Sequence, residues 1–167
     1  MWEQVSVVIP AYNEEEQLFE TLFTLANSFS PKEIIGINDG SSDKTGEILE
    51  KFCTHTIQFN KNHGKGSALK AGWEKATGEI IVCLDADLGS SVREAYKLVE
   101  PLQNPDIDGV IGRLPSQKKG GFGVVKRYAQ KIIYQETGQW FLAPLSGQRS
   151  FRKQWLSVLL SKTYYGY

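Results

Sequence analysis

The strongest constraint in this sequence is an apolar run that ends on two acidic residues. Residues 80–84 read Ile-Ile-Val-Cys-Leu, and Asp85 and Asp87 follow with one alanine between them. Such a run, rich in β-branched residues, is typical of a strand that is buried on both faces. A buried strand does not accommodate two carboxylates unless their charge is compensated. We therefore expect Asp85 and Asp87 at the carboxyl end of a strand, where open α/β sheets bind ligands.

The spacing of these two carboxylates indicates a divalent cation. Hard oxygen ligands at a strand end suit Mg²⁺ or Mn²⁺ that carries a phosphorylated substrate. The pattern alone leaves a second interpretation open, in which Asp85 begins a solvated turn and Asp87 caps the next helix.

Composition limits the class of protein. The 167 residues carry a formal net charge of zero, so no global field attracts nucleic acid or a membrane surface. Two cysteines in apolar segments, Cys53 and Cys83, favour a reducing compartment over a disulfide scaffold. The first residues lack the features of a signal peptide, and no apolar run is long enough to span a bilayer. We expect a cytoplasmic protein whose single domain, residues 1–167, lacks a C-terminal segment, because residues 164–167 directly follow a helical pattern.

Strands and helices alternate along most of the chain, which predicts a mostly parallel sheet flanked by helices. Asn13 and Glu16 are predicted to form a capping box at the first helix. Apolar spacing predicts buried helix faces at Leu18, Leu22, Leu25 and Ala26, and at Val92, Ala95, Leu98, Val99 and Leu102. The predicted strands cover residues 5–9, 33–38, 54–59, 80–84, 108–112 and 146–151.

The last third of the chain combines an apolar helical face with basic residues. Two interpretations stay open: the face packs in the core beside solvated lysines, which is the commoner arrangement, or it lies at a membrane surface and holds a lipid phosphate. The apolar positions are Val124, Val125, Tyr128, Ala129, Ile132 and Ile133, and the basic ones are Lys118, Lys119, Lys126, Arg127, Lys131 and Arg149.

Three predicted parallel strands end on polar segments, namely residues 10–14, 38–43 and 85–87. Parallel strand ends meet at one edge of a sheet, so a nucleotide can lie across them. Asp39 is a candidate hydrogen-bond acceptor for the N–H of a nucleotide base. Lys65 is a candidate for neutralising the charge of a phosphate. Taken alone, Asp39 is better explained as a turn residue that bonds its own backbone, and Lys65 as a solvated loop lysine.

The motifs at these strand ends resemble glycosyltransferase family 2, and most closely its dolichyl-phosphate mannosyltransferase-like enzymes. The resemblance extends from Val5 to about Phe151. It rests on four segments in the family's order and spacing, which are residues 8–14, 38–45, 62–68 and 85–88.

This resemblance implies a GT-A fold (Rossmann-like, nucleotide-diphospho-sugar transferase) and a hexosyltransferase that uses a UDP- or GDP-sugar. It implies that Asp85 and Asp87, the DXD motif, hold Mg²⁺ or Mn²⁺ and the donor diphosphate. Asp87 and Arg149 are the implied catalytic residues, since residues 146–149 resemble a Ser-Gly-x-Arg stretch beside the donor phosphates and the acceptor. The remaining implied nucleotide-sugar-binding residues are Pro10, Ala11, Tyr12, Glu14, Asp39, Lys65 and Ala86.

Two departures from the family pattern bear on mechanism. Gly89 stands where the mannosyltransferase-like pattern often has a glutamine ligand, so cation coordination is looser or completed by water. No carboxylate is a convincing base for an inverting transfer to a hydroxyl. The base therefore lies beyond Tyr167, or the acceptor is already an anion, such as a polyprenyl phosphate at the inner face of the membrane. A cell-envelope glycan is the other candidate acceptor.

Other functions fit less well. A sugar nucleotidyltransferase usually has a glycine-rich basic loop after its first strand, where this chain has residues 10–14. A phosphatase-like DxDx[TV] motif does not match, because Gly89 stands where that motif has threonine or valine. A non-catalytic module that binds nucleotide sugars remains the main alternative to a transferase.

Overall fold

Within residues 1–113 and 122–161, which the computed structural model describes, six strands form one sheet. Its strand order is β3-β2-β1-β4-β6-β5. Lys118, Lys119 and residues 164–167 lie outside the described residues, as do the side chains of residues 122–125 and 136. The strands are β1 (Val5–Ala11), β2 (Glu33–Asn38), β3 (His55–Gln58), β4 (Ile80–Cys83), β5 (Gly109–Ile111) and β6 (Arg149–Arg152).

Helices connect the strands and cover the sheet. Short 3₁₀ segments, Trp2–Gln4, Gly89–Ala95, Glu100–Gln103 and Lys153–Trp155, precede or flank several of these elements. The α-helices are α1 (Glu15–Ser28), α2 (Thr45–Phe52), α3 (Lys65–Lys75), α4 (Tyr96–Val99), α5 (Phe122–Thr137) and α6 (Leu156–Leu160).

The sheet is mostly parallel, as predicted. β1 pairs in parallel with β2 and with β4, and β2 pairs in parallel with β3. β6 lies between β4 and β5 and is antiparallel to both. The carboxyl ends of β1, β2 and β4 therefore meet at one edge of the sheet.

Both faces of the sheet are covered by apolar side chains. Successive residues of a strand point to opposite faces, so Val7 and Val8 of β1 enter different cores. The first core includes α1 and residues 89–103, and the second includes α3. The predicted buried positions Val92, Ala95, Leu98, Val99 and Leu102 are all confirmed.

Two predictions about α1 are wrong. The helix begins at Glu15, after Glu14, without a side-chain capping bond, so Asn13 and Glu16 form no capping box. Asn13 instead adopts a φ of 54°, and its Oδ1 accepts a hydrogen bond from the Ser42 N–H. Ala26 is exposed, because the buried stripe of the helix runs through Thr21 and Thr24.

The apolar face of α5 is only partly covered. Tyr128 is 67% exposed and Ile132 is 42% exposed, whereas Ala129 and Ile133 are partly buried. Helical spacing identified the stripe, but the described part of the chain does not cover the side chains of Tyr128 and Ile132. Among the described residues, no helix combines the length and the apolar character that a membrane crossing requires.

A buried glutamate ties three segments together at the amino end of the sheet. Glu33 is 4% exposed, and its Oε1 accepts hydrogen bonds from the Ser6 hydroxyl and from the Thr77 N–H and hydroxyl. Ser6 Oγ also accepts a hydrogen bond from the Gly78 N–H at 2.7 Å. Burial raises the pKa of Glu33, but these hydrogen bonds outweigh it and hold the pKa below its usual value of 4.5.

This cluster predicts a pH-dependent contribution to stability. A depressed carboxyl pKa stabilises the fold above the unfolded-state value and loses that contribution as pH falls through the folded-state pKa. We expect Glu33→Gln to lower the free energy of unfolding by about 1–3 kcal/mol at pH 7. The difference from wild type should shrink below pH 4.5 in urea titrations, whereas the exposed control Glu3→Gln should show no such trend. A difference that stays constant from pH 7 to pH 3 would contradict the role of the charge.

Candidate functional site

A cleft of about 440 Å³ opens where β1, β2 and β4 end. Every predicted site residue except Arg149 lines it. Asn62 and Gly64 also line it, although the sequence reasoning assigned them no role; their segment, 62–68, was one of the four that carried the family resemblance. The lining residues are Pro10, Ala11, Tyr12, Glu14, Asp39, Asn62, Gly64, Lys65, Asp85, Ala86 and Asp87.

The loops after β1 and β2 cap each other's helices. Asp43 accepts a hydrogen bond from the Glu15 N–H at the start of α1, and Thr45 accepts one from the Glu14 N–H. In return, Glu15 accepts one from the Lys44 N–H at the start of α2. The N–H groups of Glu14, Glu15 and Lys44 are thereby satisfied across the chain, while the Thr45 N–H is bonded locally by Asp43. This exchange holds the loop that presents Glu14 to the cleft.

Asp39 is a buried residue that positions a third loop. It is 3% exposed, and its two carboxylate oxygens accept hydrogen bonds from the N–H groups of His63 (2.7 Å) and Gly64 (2.9 Å). It is therefore not a turn aspartate bonded to its own backbone. Each oxygen keeps a further acceptor site, so the contact with a nucleotide base stays a prediction.

The turn after Asp39 requires glycine for two reasons. Gly40 has a φ of 76°, in the left-handed region that favours glycine. A Cβ at this position would lie 2.6 Å from the Lys61 Cα. The turn after β2 therefore packs directly on the backbone that leads into α3.

Lys65 is the first residue of α3, and its ammonium forms an ion pair with Asp85 Oδ1. The Lys65 side chain is 49% exposed and that of Asp85 is 20% exposed. Lys65 is thus directed to the cleft and is not a solvated loop lysine. Asp85 lies two residues beyond the end of β4, and Ala86, next in sequence, is buried.

The cleft is electrostatically negative. Four carboxylates, those of Glu14, Asp39, Asp85 and Asp87, line it together with one ammonium group among the described residues. Burial raises the pKa of Glu14, and the charges of Asp87, Asp43 and Asp85 raise it further, with Lys65 acting against them. An anionic ligand is therefore repelled unless a cation accompanies it.

Asp85 and Asp87 fit a divalent cation that is shared with a ligand. Within residues 1–113 and 122–161, no three or more His, Cys, Asp or Glu side chains group as a metal site. Mg²⁺ commonly uses one or two carboxylates, completed by phosphate oxygens and water. Position 89 offers no side-chain ligand, because it is glycine. Gly89 is buried, has a φ of 52° and donates its N–H to Thr21 Oγ1.

Arg149 stands beside the cleft without lining it. It pairs with Cys83 in the β4–β6 register, and its Nη2 donates to the Ser146 carbonyl at 2.8 Å. Its buried Nε has no hydrogen-bond partner among the described residues. Gly147 packs against Asp85 so closely that a Cβ at position 147 would overlap the carboxylate. Residues 146–149 thus border the same carboxylate that Lys65 contacts.

Comparison with known proteins identifies the family. Residues 6–160 match the model of glycosyl transferase family 2. The chain belongs to glycosyl transferase family 2. An undecaprenyl-phosphate 4-deoxy-4-formamido-L-arabinose transferase of Pectobacterium carotovorum subsp. carotovorum (strain PC1) is 33% identical to this chain. The match covers 93% of this chain and 51% of the relative. A poly-beta-1,6-N-acetyl-D-glucosamine synthase of Staphylococcus epidermidis is 38% identical over 116 residues, and the match covers 66% of this chain and 28% of that protein.

Solved structures of glycosyl transferases share the fold. Glucosyl-3-phosphoglycerate synthase from Mycobacterium tuberculosis, in complex with Mn²⁺, UDP and glucosyl-3-phosphoglycerate, superposes with a TM-score of 0.74 at 25% identity. The match covers 90% of this chain and 57% of that one. The predicted family and the predicted GT-A fold are confirmed. The chain spans about half the length of the first of these relatives.

The contacts of Asp39 lead to a prediction about stability. Asp39→Ala removes the acceptor of two backbone N–H groups, and leaving such donors unpaired costs about 1–3 kcal/mol. We expect a folded variant whose free energy of unfolding in urea is lower by that amount. Asp106→Ala, at an exposed aspartate, is the matched control. Equal stability of the two variants would show that Asp39 does not hold the loop.

Proposed function

We propose that this domain transfers a hexosyl group, with inversion, from a UDP- or GDP-sugar to an acceptor, and that Asp85 and Asp87 hold Mg²⁺ or Mn²⁺ for the donor diphosphate. One observation carries the proposal: both carboxylates of the DXD motif open into the same cleft as Glu14 and Asp39. The M. tuberculosis enzyme with this fold, in complex with Mn²⁺ and UDP, supports the same ligands.

Each side of the cleft has a proposed task. Pro10, Ala11 and Tyr12 form the wall at the end of β1, against which the nucleoside packs, with Asp39 below it. The cation supplies positive charge that stabilises the departing diphosphate. Lys65 and Arg149 add further positive charge, and a planar guanidinium suits phosphate oxygens.

The lack of an unassigned carboxylate base in the cleft favours an acceptor that is already an anion. Asp85 and Asp87 are committed to the cation in this proposal, and Asp39 already accepts two backbone hydrogen bonds. Glu14 is assigned to the nucleoside in this proposal, as the family resemblance implies. A phosphate acceptor needs no base, whereas a hydroxyl does. A polyprenyl phosphate therefore suits this site better than a glycan.

The surface of α5 supports the same acceptor. Aromatic and aliphatic side chains are exposed beside exposed basic ones, a combination typical of segments that lie at a lipid surface. The Pectobacterium relative is named for undecaprenyl phosphate. We therefore propose contact with the inner face of the membrane, from the cytoplasm. The exposed residues are Lys126, Arg127, Tyr128, Lys131, Ile132 and Tyr134 on α5, and Trp140, Leu142 and Leu145 in the segment that follows it.

A module that binds nucleotide sugars without catalysis is the second candidate. In its favour, each of the four carboxylates that line the cleft has another task in the arrangement above. Release or transfer of sugar from a UDP- or GDP-sugar in the presence of Mn²⁺ separates the two candidates.

The metal site is tested by nucleotide binding. We expect UDP or GDP to bind at least about tenfold more tightly with Mn²⁺ than with chelator, a difference of about 1.4 kcal/mol by calorimetry. Asp87→Ala should abolish this dependence, because a cation no longer bridges the carboxylates and the diphosphate. Asp106→Ala should keep it. Undiminished binding in chelator would count decisively against the site.

The lipid acceptor is tested by flotation with anionic vesicles that contain a polyprenyl phosphate. At low salt we expect part of the wild-type protein to float, because basic and apolar side chains of α5 contribute together. Tyr128→Ser with Ile132→Ser should reduce that fraction, while Phe23→Ser, at an exposed aromatic residue of α1, should not. If all protein stays in solution, the acceptor is a soluble sugar or protein.

A further inference from the structure

The charge balance of the cleft singles out Lys65. Among the described residues that line the cleft, its ammonium is the one positive group beside four carboxylates. It contacts Asp85 Oδ1, one of the two carboxylates that the proposed function assigns to a cation. The ammonium therefore occupies part of the space and neutralises part of the charge that a cation at Asp85 would require.

The backbone of Lys65 is held firmly, whereas its side chain is not enclosed. Asp39 binds the N–H groups of His63 and Gly64, and Gly64, with a φ of 86°, immediately precedes α3. The Lys65 side chain is nevertheless 49% exposed and carries four flexible bonds. The ammonium can therefore leave Asp85 for another partner in the cleft without movement of the helix.

Gly147 is a second neighbour of the Asp85 carboxylate. A Cβ at position 147 would overlap Oδ1, the oxygen that Lys65 contacts, and would lie 2.6 Å from Oδ2. The backbone of Gly147 leads into β6, whose first residue Arg149 pairs with Cys83, so the flexible Lys65 side chain is the neighbour that can move away from Asp85.

We propose that Lys65 couples cation binding to nucleotide binding by exchanging Asp85 for a donor phosphate. This inference rests on the proposed function. Without nucleotide, an ammonium displaced from Asp85 loses its partner, so a cation binds weakly. With a diphosphate present, the ammonium gains phosphate oxygens and Asp85 becomes available. Each ligand thus raises the affinity for the other by the same factor.

The test is a pair of titrations on wild type and Lys65→Met. Mn²⁺ binding is followed by the electron paramagnetic resonance signal of free Mn²⁺, first alone and then with saturating UDP or GDP. Lys65→Met should bind Mn²⁺ alone about two- to fivefold more tightly, the range for a partly exposed ion pair. Nucleotide affinity of the Mn²⁺-loaded variant should fall about tenfold, because a charge-assisted bond to phosphate is lost. The factor by which nucleotide strengthens Mn²⁺ binding should fall accordingly.

Controls separate this role from a general charge effect. Lys61→Met removes an exposed lysine four residues earlier, outside the cleft lining, and should behave as wild type. Lys65→Gln should reproduce Lys65→Met, and Lys65→Arg should keep the coupling. Thermal melts confirm that each variant is folded.

The outcomes distinguish the inference from the function on which it rests. If wild type binds Mn²⁺ and nucleotide cooperatively and Lys65→Met does so equally, Lys65 is not the coupling residue and the proposed function stands. Unchanged or weaker binding of Mn²⁺ alone by Lys65→Met would also overturn the exchange. If wild type binds no Mn²⁺ even with UDP or GDP, the metal site fails and this inference fails with it.

Discussion

Burial of the central strands on both faces is the constraint on which the position of the site depends. All seven residues of β1 and all four of β4 are buried. Burying an ionised side chain inside such a strand has a high free-energy cost, so the carboxylates that line the cleft come after the ends of the strands. Because β1, β2 and β4 run in parallel, Glu14, Asp39 and Asp85 reach the same edge of the sheet. The cores therefore determine where the charges gather.

Polar side chains then give the loops at this edge their shape. Asp39 holds the loop before α3, while Asp43 and Glu15 cap each other's helices across the chain. These bonds form between backbone donors and side chains of another loop, so each loop depends on its neighbour. Such preorganisation lowers the ordering cost that a nucleotide would otherwise meet on binding. Loss of one acceptor should accordingly affect stability as well as binding.

The strand ends and the family resemblance predicted the residues that gather at the cleft. Sequence periodicity predicted the sheet and most buried faces, because these follow from burial along a single element. It failed where the deciding partner is distant in sequence. Asn13 and Glu16 satisfy the local capping pattern, yet the donors at α1 are taken by residues about 28 to 31 positions away. The Lys65–Asp85 pair is likewise separated by 20 positions. The exposure of Tyr128 could not be predicted either, since an apolar stripe on a helix does not show which part of the protein covers it.

The same charges also determine which ligands the cleft excludes. Four carboxylates and one ammonium leave an excess of negative charge, so free phosphates are repelled while a neutral nucleoside is not. Under the proposed function a diphosphate enters only with a cation, and the Lys65 ammonium contacts Asp85, one of the two carboxylates assigned to that cation. The described lining of the cleft, with four carboxylates and one ammonium, thus favours a cation–diphosphate pair over a free diphosphate.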